Sequence, residues 1–363
     1  MTIFMIITDL SAIIITMKTT CVYTIALNEI DHCERWANSC LQADYRIVAD
    51  TGSTDGTPEK LRSLGVTVYD ITQNPWRFDH ARNQALALCP DDVDICISLD
   101  MDEYLMDGWR PAIESAWQND TTRLAYKYVF DANTSMAGFW VNKIHSRHGY
   151  TWRRPVHETI FCTMDSEREA VIDCNLILQK QDLHKSSRGN YLPLLAIAHQ
   201  EDPQDGQIAF WYARDLVNAG DVDRAKIALR EFLDIPNTWV MERNESYRLL
   251  AQISPDQSEQ YLLKAIAEST TRREPWLDLV KLYYQRQDWL NCAWSSLCGI
   301  NARKTNTYLD YLQDNSGEFY DYGSISCWHL DWKTKARELV QQAAELVPHD
   351  TRIQNNRNFM VGN

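Results

Sequence analysis

The sequence predicts an α/β domain with a mostly parallel sheet, followed by a second domain that contains only helices. Short apolar runs alternate with amphipathic segments up to about residue 100, which is typical of parallel strands joined by crossover helices. Beyond Pro193 the strand signals vanish and helical patterns continue. We therefore predict an apolar N-terminal extension at 1–17, an α/β domain at 18–195 and an α-helical domain at 196–363.

Four strands and three helices alternate in the first hundred residues. The strands are predicted at 21–26, 47–49, 66–69 and 94–99, and the helices at 31–40, from 58 onward and at 78–88. Thr57 is a good N-cap residue, and Pro58 suits the first position of a helix. This order predicts a β-α-β-α-β-α-β unit with a parallel sheet.

The pattern changes between residues 124 and 178, where short segments are rich in Tyr, Trp and Arg. Strands are predicted there at 125–130, 139–144, 158–162 and 170–178. We expect these strands to form an antiparallel extension of the first domain, facing the functional site.

The helical half contains a repeated pattern. Ala225 and Ala293 hold similar positions in two amphipathic helices and are 68 residues apart, which is twice the 34-residue period of tetratricopeptide repeats. A third copy at 336–348 ends in a proline and follows a longer connection. We therefore predict a tetratricopeptide-like α-solenoid.

Composition excludes some classes of function. The chain has a net charge of −14, so nucleic acid is excluded as a bulk partner, although a small basic pocket is able to hold a nucleotide. Its ten cysteines show no C-x-x-C spacing, which favours reduced thiols and a cytoplasmic location.

The extension at 1–17 is apolar but contains Asp9 and lacks the basic start of a signal peptide. It is also too short to span a bilayer comfortably. Three interpretations remain: a buried helix, a segment on the membrane surface that would make the protein peripheral, or a misassigned start. We favour the last, with Met17 as the initiator. No other stretch is predicted to cross a membrane.

Two loops rich in carboxylates, at 50–56 and 100–103, follow buried strands of the predicted sheet. Ligands bind at the carboxyl ends of strands in open α/β sheets. In an extended segment Asp100 and Asp102 point to the same side, and their oxygens suit Mg²⁺ or Mn²⁺. The alternative is an exposed acidic turn that caps the next helix.

Asp50 is able to accept hydrogen bonds from a base or a ribose hydroxyl, and Gly52 and Gly56 allow close backbone approach or positive φ. The alternative is an Asx-type turn.

Asp-Thr-Gly-Ser also surrounds the carboxylate of aspartic proteases, but that chemistry needs two such aspartates. The sequence has no second copy of this motif.

Basic residues near these loops are candidates for phosphate binding. Arg82 and Asn83 lie in the first turns of the helix predicted at 78–88, where a helix N-terminus with an Arg suits a diphosphate. A solvated helix face is the alternative. In a later polar loop, His184 is a candidate metal ligand, and Lys185 and Arg188 are candidate phosphate contacts.

His157 and Glu158 are the candidate catalytic residues. Glu158 is able to accept a proton from an attacking hydroxyl, and His157 to orient an acceptor or a phosphate. Trp140 and Trp152 are candidates for stacking on a sugar face. The alternative is a salt-bridged β-hairpin.

Residues 20–195 resemble a family 2 glycosyltransferase of the GT-A fold. The resemblance is carried by the segments 25–29, 50–57, 78–83 and 100–103 together. A GT-A domain followed by tetratricopeptide-like helices is similar to bacterial and phage glycosyltransferases, including the type that glycosylates peptides. The resemblance implies a nucleotide-sugar donor, with a UDP-sugar favoured, and a glycan, peptide or protein acceptor.

The resemblance also implies roles for individual residues. Asp50 would contact the base, Arg82 the diphosphate and Asp100 the ribose. Asp102 would hold the metal, with Asp100 and His184 completing its ligands. The remaining donor-binding residues would be Ala26, Asn28, Glu29, Gly52, Ser53, Asn83, Lys185 and Arg188. The chain departs from the family in having Asp-Thr where many members have Asp-Asp, and in lacking the usual Glu-Asp base motif.

We therefore predict a glycosyltransferase that depends on Mn²⁺ or Mg²⁺ and works by direct displacement with inversion. One alternative is a sugar nucleotidyltransferase, whose Gly-rich basic loop has no counterpart at 27–30. The other is a non-catalytic helical-repeat protein, which would not need carboxylates at two strand ends. The Trp-rich helical half offers a surface for a protein partner, although most of these rings are expected in the solenoid core.

Overall fold

A computed structural model describes residues 18–130, 139–179, 191–303, 305, 307–310, 312 and 317–362. The predictions for the extension at 1–17 and for His184, Lys185 and Arg188 lie outside the described residues. The chain forms two compact units, of which the first ends at Leu194 and the second begins at Leu195.

The first unit is built on one large sheet and a two-stranded ribbon. In the described part of the chain, the strands are β1 (Thr20–Ala26), β2 (Tyr45–Asp50), β3 (Thr67–Asp70), β4 (Ile95–Ser98), β5 (Glu103–Leu105), β6 (Arg123–Phe130), β7 (Phe139–Ser146), β8 (Tyr150–Arg153), β9 (Thr159–Cys162) and β10 (Glu169–Gln179). The helices are α1 (Cys33–Ser39), α2 (Thr57–Ser63), α3 (Phe78–Ala87) and α4 (Trp109–Ala116).

The strand order of the large sheet is β3-β2-β1-β4-β7-β6-β10-β5. The first four strands run parallel, and β1 lies between β2 and β4. Their carboxyl ends therefore share one edge of the sheet, as the sequence predicted. β1, β2 and β4 are mostly buried, because helices cover both faces of a parallel sheet, whereas the edge strand β3 is mostly exposed. Val22, Val48 and Ile97 pack with Trp36 of α1 in the larger core cluster.

The β-rich extension differs from the prediction in two ways. β7 is antiparallel to β4 and β6, as expected, but β10 runs parallel to β6. The hairpin β8-β9 forms a separate two-stranded sheet. Strand direction depends on which distant segment supplies the partner, and local periodicity carries no such information. The three-residue strand β5 was too short to be predicted.

In the second unit the described helices are α5 (Leu192–Glu201), α6 (Gly206–Asn218), α7 (Val222–Asp234), α8 (Val240–Ile253), α9 (Ser258–Glu268), α10 (Glu274–Gln285), α11 (Trp289–Asn301), α12 (Glu318–His329), α13 (Lys333–Leu346) and α14 (Thr351–Val361). Consecutive helices pack in pairs, namely α6 with α7, α8 with α9, α10 with α11, and α12 with α13. The predicted fold class, an α/β domain followed by tetratricopeptide-like helical repeats, is confirmed.

Three of these pairs share one interhelical turn. Gly220, Gln287 and Asp331 each adopt positive φ, and the next residue donates its amide to a carbonyl five residues earlier. This is the hydrogen bond that closes a Schellman cap. The backbone amides of Ala225 and Cys292 each donate to the carbonyl of the N-cap residue four positions earlier. Cys292, and not the predicted Ala293, is therefore the equivalent of Ala225.

None of the helices in the described part of the chain is long and apolar enough to cross a membrane.

Candidate active site

The loops after β1 and β2 are joined by hydrogen bonds at the carboxyl edge of the sheet. Asn28 adopts φ 55°. Its amide nitrogen donates to Ser53 Oγ at 2.8 Å, and its side-chain oxygen accepts from the Thr54 amide at 2.8 Å. The Glu29 amide donates to Thr57 Oγ1 at 2.8 Å. Two predicted donor-binding segments are therefore held as one surface.

Asp50 organises its own loop. It is 2% exposed; one carboxylate oxygen accepts from the amides of Gly52 and Ser53, and the other accepts from Ser53 Oγ at 2.5 Å. Gly52 has φ 112°, a conformation that favours glycine. Ala26 ends β1, and its carbonyl accepts two hydrogen bonds from Thr51. This geometry is the Asx-type turn that was considered as the alternative for this loop. The described hydrogen bonds of the Asp50 carboxylate are made to its own loop.

Arg82 in α3 connects two carboxylates that are far apart in sequence. Its Nη1 lies 2.7 Å from Asp100 Oδ1, and its Nε lies 2.6 Å from Glu158 Oε1. The guanidinium carbon lies 5.0 Å from the centre of the Trp152 ring, within the range of a cation–π contact. Arg82 is only 7% exposed. The structure thus brings together three of the predicted site residues.

A second cation completes this cluster. Lys143 Nζ in β7 lies 3.0 Å from Asp100 Oδ2 and 3.1 Å from Glu103 Oε1. Glu103 also accepts hydrogen bonds from the Asp100 amide and from the Tyr128 hydroxyl, both at 2.8 Å. Sequence reasoning missed Lys143 and Tyr128 as site residues because a single polar residue in a strand has no local signal of its partners.

The two cations affect the pKa values of the carboxyl groups that they contact. Burial alone would raise the pKa of Asp100, but Arg82 and Lys143 outweigh burial and hold that pKa well below its usual range. Burial raises the pKa of Glu103, and Lys143 opposes this shift only in part. Desolvation alone would lower the pKa of both cations, but Asp100 and Glu158 raise the pKa of Arg82, and Asp100 and Glu103 raise the pKa of Lys143. Asp100, Arg82 and Lys143 are therefore charged at neutral pH.

The geometry of the second acidic loop corrects the prediction that residues 100–102 are extended. The Glu103 amide donates to the Asp100 carbonyl at 2.9 Å, which closes a tight turn. Asp100 faces the two cations, whereas Asp102 Oδ2 accepts from the Gln179 side-chain amide at 3.0 Å. The two carboxylates therefore have different described partners, and the alternation rule for strands does not apply to them.

A divalent cation is implied by the resemblance, and the side chains allow its fit to be tested. Asp102 is a buried carboxylate at the sheet edge, and Mg²⁺ sites often combine one or two carboxylates with substrate phosphates. Asp102 fits that pattern. Both oxygens of Asp100 already contact cations, so Asp100 is the weaker ligand. In the described ranges no cluster of three His, Cys, Asp or Glu side chains is able to hold a metal.

The β8-β9 hairpin is tied to α3. The Asn83 side chain pairs with the backbone of Trp152, donating at 2.8 Å and accepting at 2.8 Å, so these bonds anchor the hairpin rather than face a ligand. His157 adopts φ 52° and packs against Tyr191 with ring centres 5.9 Å apart. The predicted stacking residue Trp140 lies in β7 and is 50% exposed.

The Trp152 ring that contacts Arg82 belongs to a buried chain of hydrogen bonds. Trp152 Nε1 donates to the Tyr23 hydroxyl at 2.9 Å, and that hydroxyl contacts His145 Nε2 at 2.9 Å. His145 Nδ1 lies 2.8 Å from the Ser146 carbonyl, so Nδ1 carries the proton and Nε2 accepts. Burial lowers the pKa of His145 to about 4. This neutral histidine supports the Trp152 ring on which Arg82 stacks.

These contacts define what the arrangement is able to do. The buried Arg82, the partly buried Lys143 and several carboxylates lie beyond the carboxyl end of β4, next to the loops that follow β1 and β2. Such a site suits a ligand that combines hydroxyl groups with phosphates, because carboxylates accept from hydroxyls and guanidinium donates to phosphate.

The model of a known family matches part of this chain. Residues 21–185 match the family model described as Glycosyl transferase family 2. The matched range contains the contacts among Arg82, Asp100 and Glu158. No curated protein matches the chain.

Several solved structures are similar to this chain at low identity. MamA residues 41 to the end from Desulfovibrio magneticus RS-1 has 14% identity and a TM-score of 0.37, covering 47% of this chain and 90% of that one. YrrB, described as a TPR protein with an unusual peptide-binding site, has 10% identity and a TM-score of 0.35, with coverages of 46% and 81%. TTC0263, a thermophilic TPR protein of Thermus thermophilus, has 16% identity and a TM-score of 0.29, with coverages of 47% and 88%. These scores are too low to support a functional inference.

Proposed function

We propose that this protein, whose first unit contains the match to the glycosyl transferase family 2 model, transfers a sugar from a nucleotide-sugar donor to a hydroxyl or peptide side-chain acceptor. The single observation that supports this most is the position of Arg82, buried between Asp100 and Glu158 within the matched range. A buried guanidinium next to a hydroxyl-accepting carboxylate suits a nucleoside diphosphate, whose ribose and phosphates need these two chemistries.

In this proposal the donor lies across the carboxyl ends of β1, β2 and β4. Asp100 accepts from the ribose hydroxyls, since a carboxylate oxygen has two acceptor sites and its ion pairs leave capacity for more. Arg82 donates to the diphosphate and stabilises the negative charge that develops as the glycosidic bond breaks. The surface formed by Asn28, Ser53 and Thr54 lies beside the base, with Asp50 holding the loop in shape.

Asp102 would hold a Mg²⁺ or Mn²⁺ ion, with His184 as the proposed additional ligand. When bound, this ion neutralises charge on the departing diphosphate. Asp100 is assigned to the ribose rather than the metal, because the positive charges of Arg82 and Lys143 at its two oxygens repel a further cation but not a hydroxyl donor.

On the acceptor side, Glu158 is the proposed base that removes the proton from the attacking hydroxyl, and His157 orients the acceptor. Displacement at the anomeric carbon by that hydroxyl inverts the configuration. Glu158 is mostly buried, with a side chain that is 13% exposed. Its ion pair with Arg82 keeps this carboxylate close to the group that binds the diphosphate.

The experiment is to incubate the full-length protein with UDP- and GDP-linked sugars, Mn²⁺ and hydroxyl or peptide acceptors, and to measure release of nucleoside diphosphate. We expect release from a UDP-sugar, at a rate that Arg82→Met reduces. Pyrophosphate release from a nucleoside triphosphate would instead identify a sugar nucleotidyltransferase. No release with any donor would overturn the proposal in favour of a non-catalytic interaction protein.

A further inference from the structure

Lys143 is the second cation of the candidate site, and no sequence motif marks it. It lies in β7, between β4 and β6 in the sheet. Its side chain is 23% exposed, so its ammonium group is largely shielded from water. Forty-three residues separate it from Asp100. Because long-range pairing of β7 with β4 brings it there, its contacts depend on the whole sheet.

Arg82 and Lys143 hold the Asp100 carboxylate from two different elements. Arg82 in α3 contacts Oδ1, and Lys143 in β7 contacts Oδ2. A carboxylate held at both oxygens has little freedom to rotate, and the direction of its remaining lone pairs is fixed. With only one of the two cations present, the carboxylate would be free to turn about its single remaining contact.

Lys143 is itself held in place by Glu103. Glu103 is 1% exposed, and its Oε1 contacts the Lys143 ammonium and the Tyr128 hydroxyl. Its Oε2 accepts from the Asp100 amide. Glu103 therefore connects the Lys143 side chain to the backbone of Asp100, whose carboxylate Lys143 contacts. The closed set of contacts is a more rigid support than a surface ion pair.

We propose that Lys143 is a positioning residue for donor binding, which acts by fixing the orientation of the Asp100 carboxylate towards the ribose hydroxyls. This inference rests on the proposed function, because it assigns Asp100 to the donor. Lys143 acts through Asp100 and does not take part in bond breaking. Its removal therefore weakens donor binding more than it slows the chemical step.

The test compares Lys143→Met, Lys143→Arg and the double variant Lys143→Met with Glu103→Gln in the full-length protein. The double variant removes the positive and the negative partner together, which avoids leaving a buried charge unpaired. Lys127→Met is the matched control, because Lys127 lies in the neighbouring strand β6 and pairs with Asp173 outside this cluster. Affinity for UDP is measured by calorimetry, and KM and kcat for a UDP-sugar are measured with Mn²⁺.

We expect the double variant to bind UDP about tenfold more weakly and to show a similar rise in donor KM, the scale of one charge-assisted hydrogen bond. Its kcat should change less than its KM. Lys143→Arg should recover much of the affinity, and Lys127→Met should match the unmodified protein. Unchanged UDP affinity and donor KM in both Lys143→Met and the double variant would overturn the inference.

The two proposals fail in different ways. If the unmodified protein neither binds UDP or GDP nor releases nucleoside diphosphate, the proposed function fails and the role of Lys143 falls with it. If it binds and turns over the donor while the Lys143 variants behave normally, only the inference about Lys143 is refuted. A fall in kcat without a change in KM would also contradict the positioning role.

Discussion

The guanidinium of Arg82 and the carboxylate of Asp100 form an ion pair with an Nη1–Oδ1 distance of 2.7 Å. This contact joins helix α3 to the loop that follows β4. Since Arg82 also contacts Glu158, the residue just before β9, one side chain connects the parallel sheet, a crossover helix and the β8-β9 hairpin. Stability and proposed donor binding therefore depend on the same residue.

Replacing Arg82 by Met should lower the free energy of unfolding by about 3 kcal/mol, because it leaves Asp100 and Glu158 without a buried partner. The rate of sugar transfer should fall as well. Arg82→Lys keeps the charge but not the planar fork, so intermediate stability is expected. Urea unfolding followed by circular dichroism measures the change. Arg62→Met is the control, since the Arg62–Asp70 pair is exposed, and a change within about 0.5 kcal/mol is expected.

Asp102→Asn should abolish donor turnover with little effect on folding, because an amide retains the shape of the side chain but is a poor ligand for Mg²⁺ or Mn²⁺. The measurement is nucleoside diphosphate release across a Mn²⁺ titration. Asp107→Asn serves as the control, since Asp107 is exposed and lies outside the candidate site. Retained turnover with an ordinary metal dependence in Asp102→Asn would refute the role of Asp102.

Glu158→Gln should reduce kcat by about 100-fold or more with a similar donor KM, the size of effect expected on loss of a general base. The glutamine still offers an oxygen to Arg82, so the fold should persist. Steady-state kinetics with a UDP-sugar distinguishes two outcomes. A raised donor KM with a retained kcat would instead show that Glu158 serves only to hold Arg82.

Stability should fall in mildly acidic solution because His145 is buried in its neutral form. Burial lowers its pKa to about 4 in the folded state, against about 6.5 in an unfolded chain. The unfolded state therefore binds the proton first, and stability is lost as pH falls from about 6.5 towards 4, then levels off. Between pH 7.5 and 5 this group contributes a loss of about 2 kcal/mol.

The measurement is urea unfolding at several pH values in the unmodified protein and in His145→Gln. The variant should show a shallower decline over this range, because glutamine does not titrate. Equal declines in the two proteins would contradict the assignment of this pH dependence to His145.

The shared turn of the helical unit allows a pair of predictions with opposite signs. Gly220 has φ 76° with open space where a Cβ would lie, whereas Gln287 has φ 58° at the equivalent place. Gly220→Ala should destabilise the helical unit by about 1 kcal/mol, and Gln287→Gly should stabilise it by a similar or smaller amount. Thermal unfolding followed by circular dichroism compares them. Changes of the same sign would show that backbone strain is not the dominant factor.

Local sequence was sufficient to predict the strands and helices of the first hundred residues. Their apolar runs and turn residues are local features, and short crossovers leave few topologies open. The positions of Asp50 and Asp100 at one edge of the sheet followed from the parallel order alone. The later β region was predicted less well, since the pairing of β10 with β6 joins segments that have no local relationship.

The individual contacts of the site depended on the tertiary structure. The sequence placed Asp50 directly after the strand predicted at 47–49, and the structure makes it the last residue of β2. Its bonds to Gly52 and Ser53 became visible only with the backbone turn. Lys143 could not be recognised at all, because a lysine in a strand acquires its role only when the sheet brings Asp100 and Glu103 within about 3 Å of it. The sequence by itself determined the strands, the helices and their order, because the periodicity of apolar residues depends on which face of each element is buried. The partner of each buried charge was decided only by the tertiary structure, because long-range packing of the sheet brings these residues together.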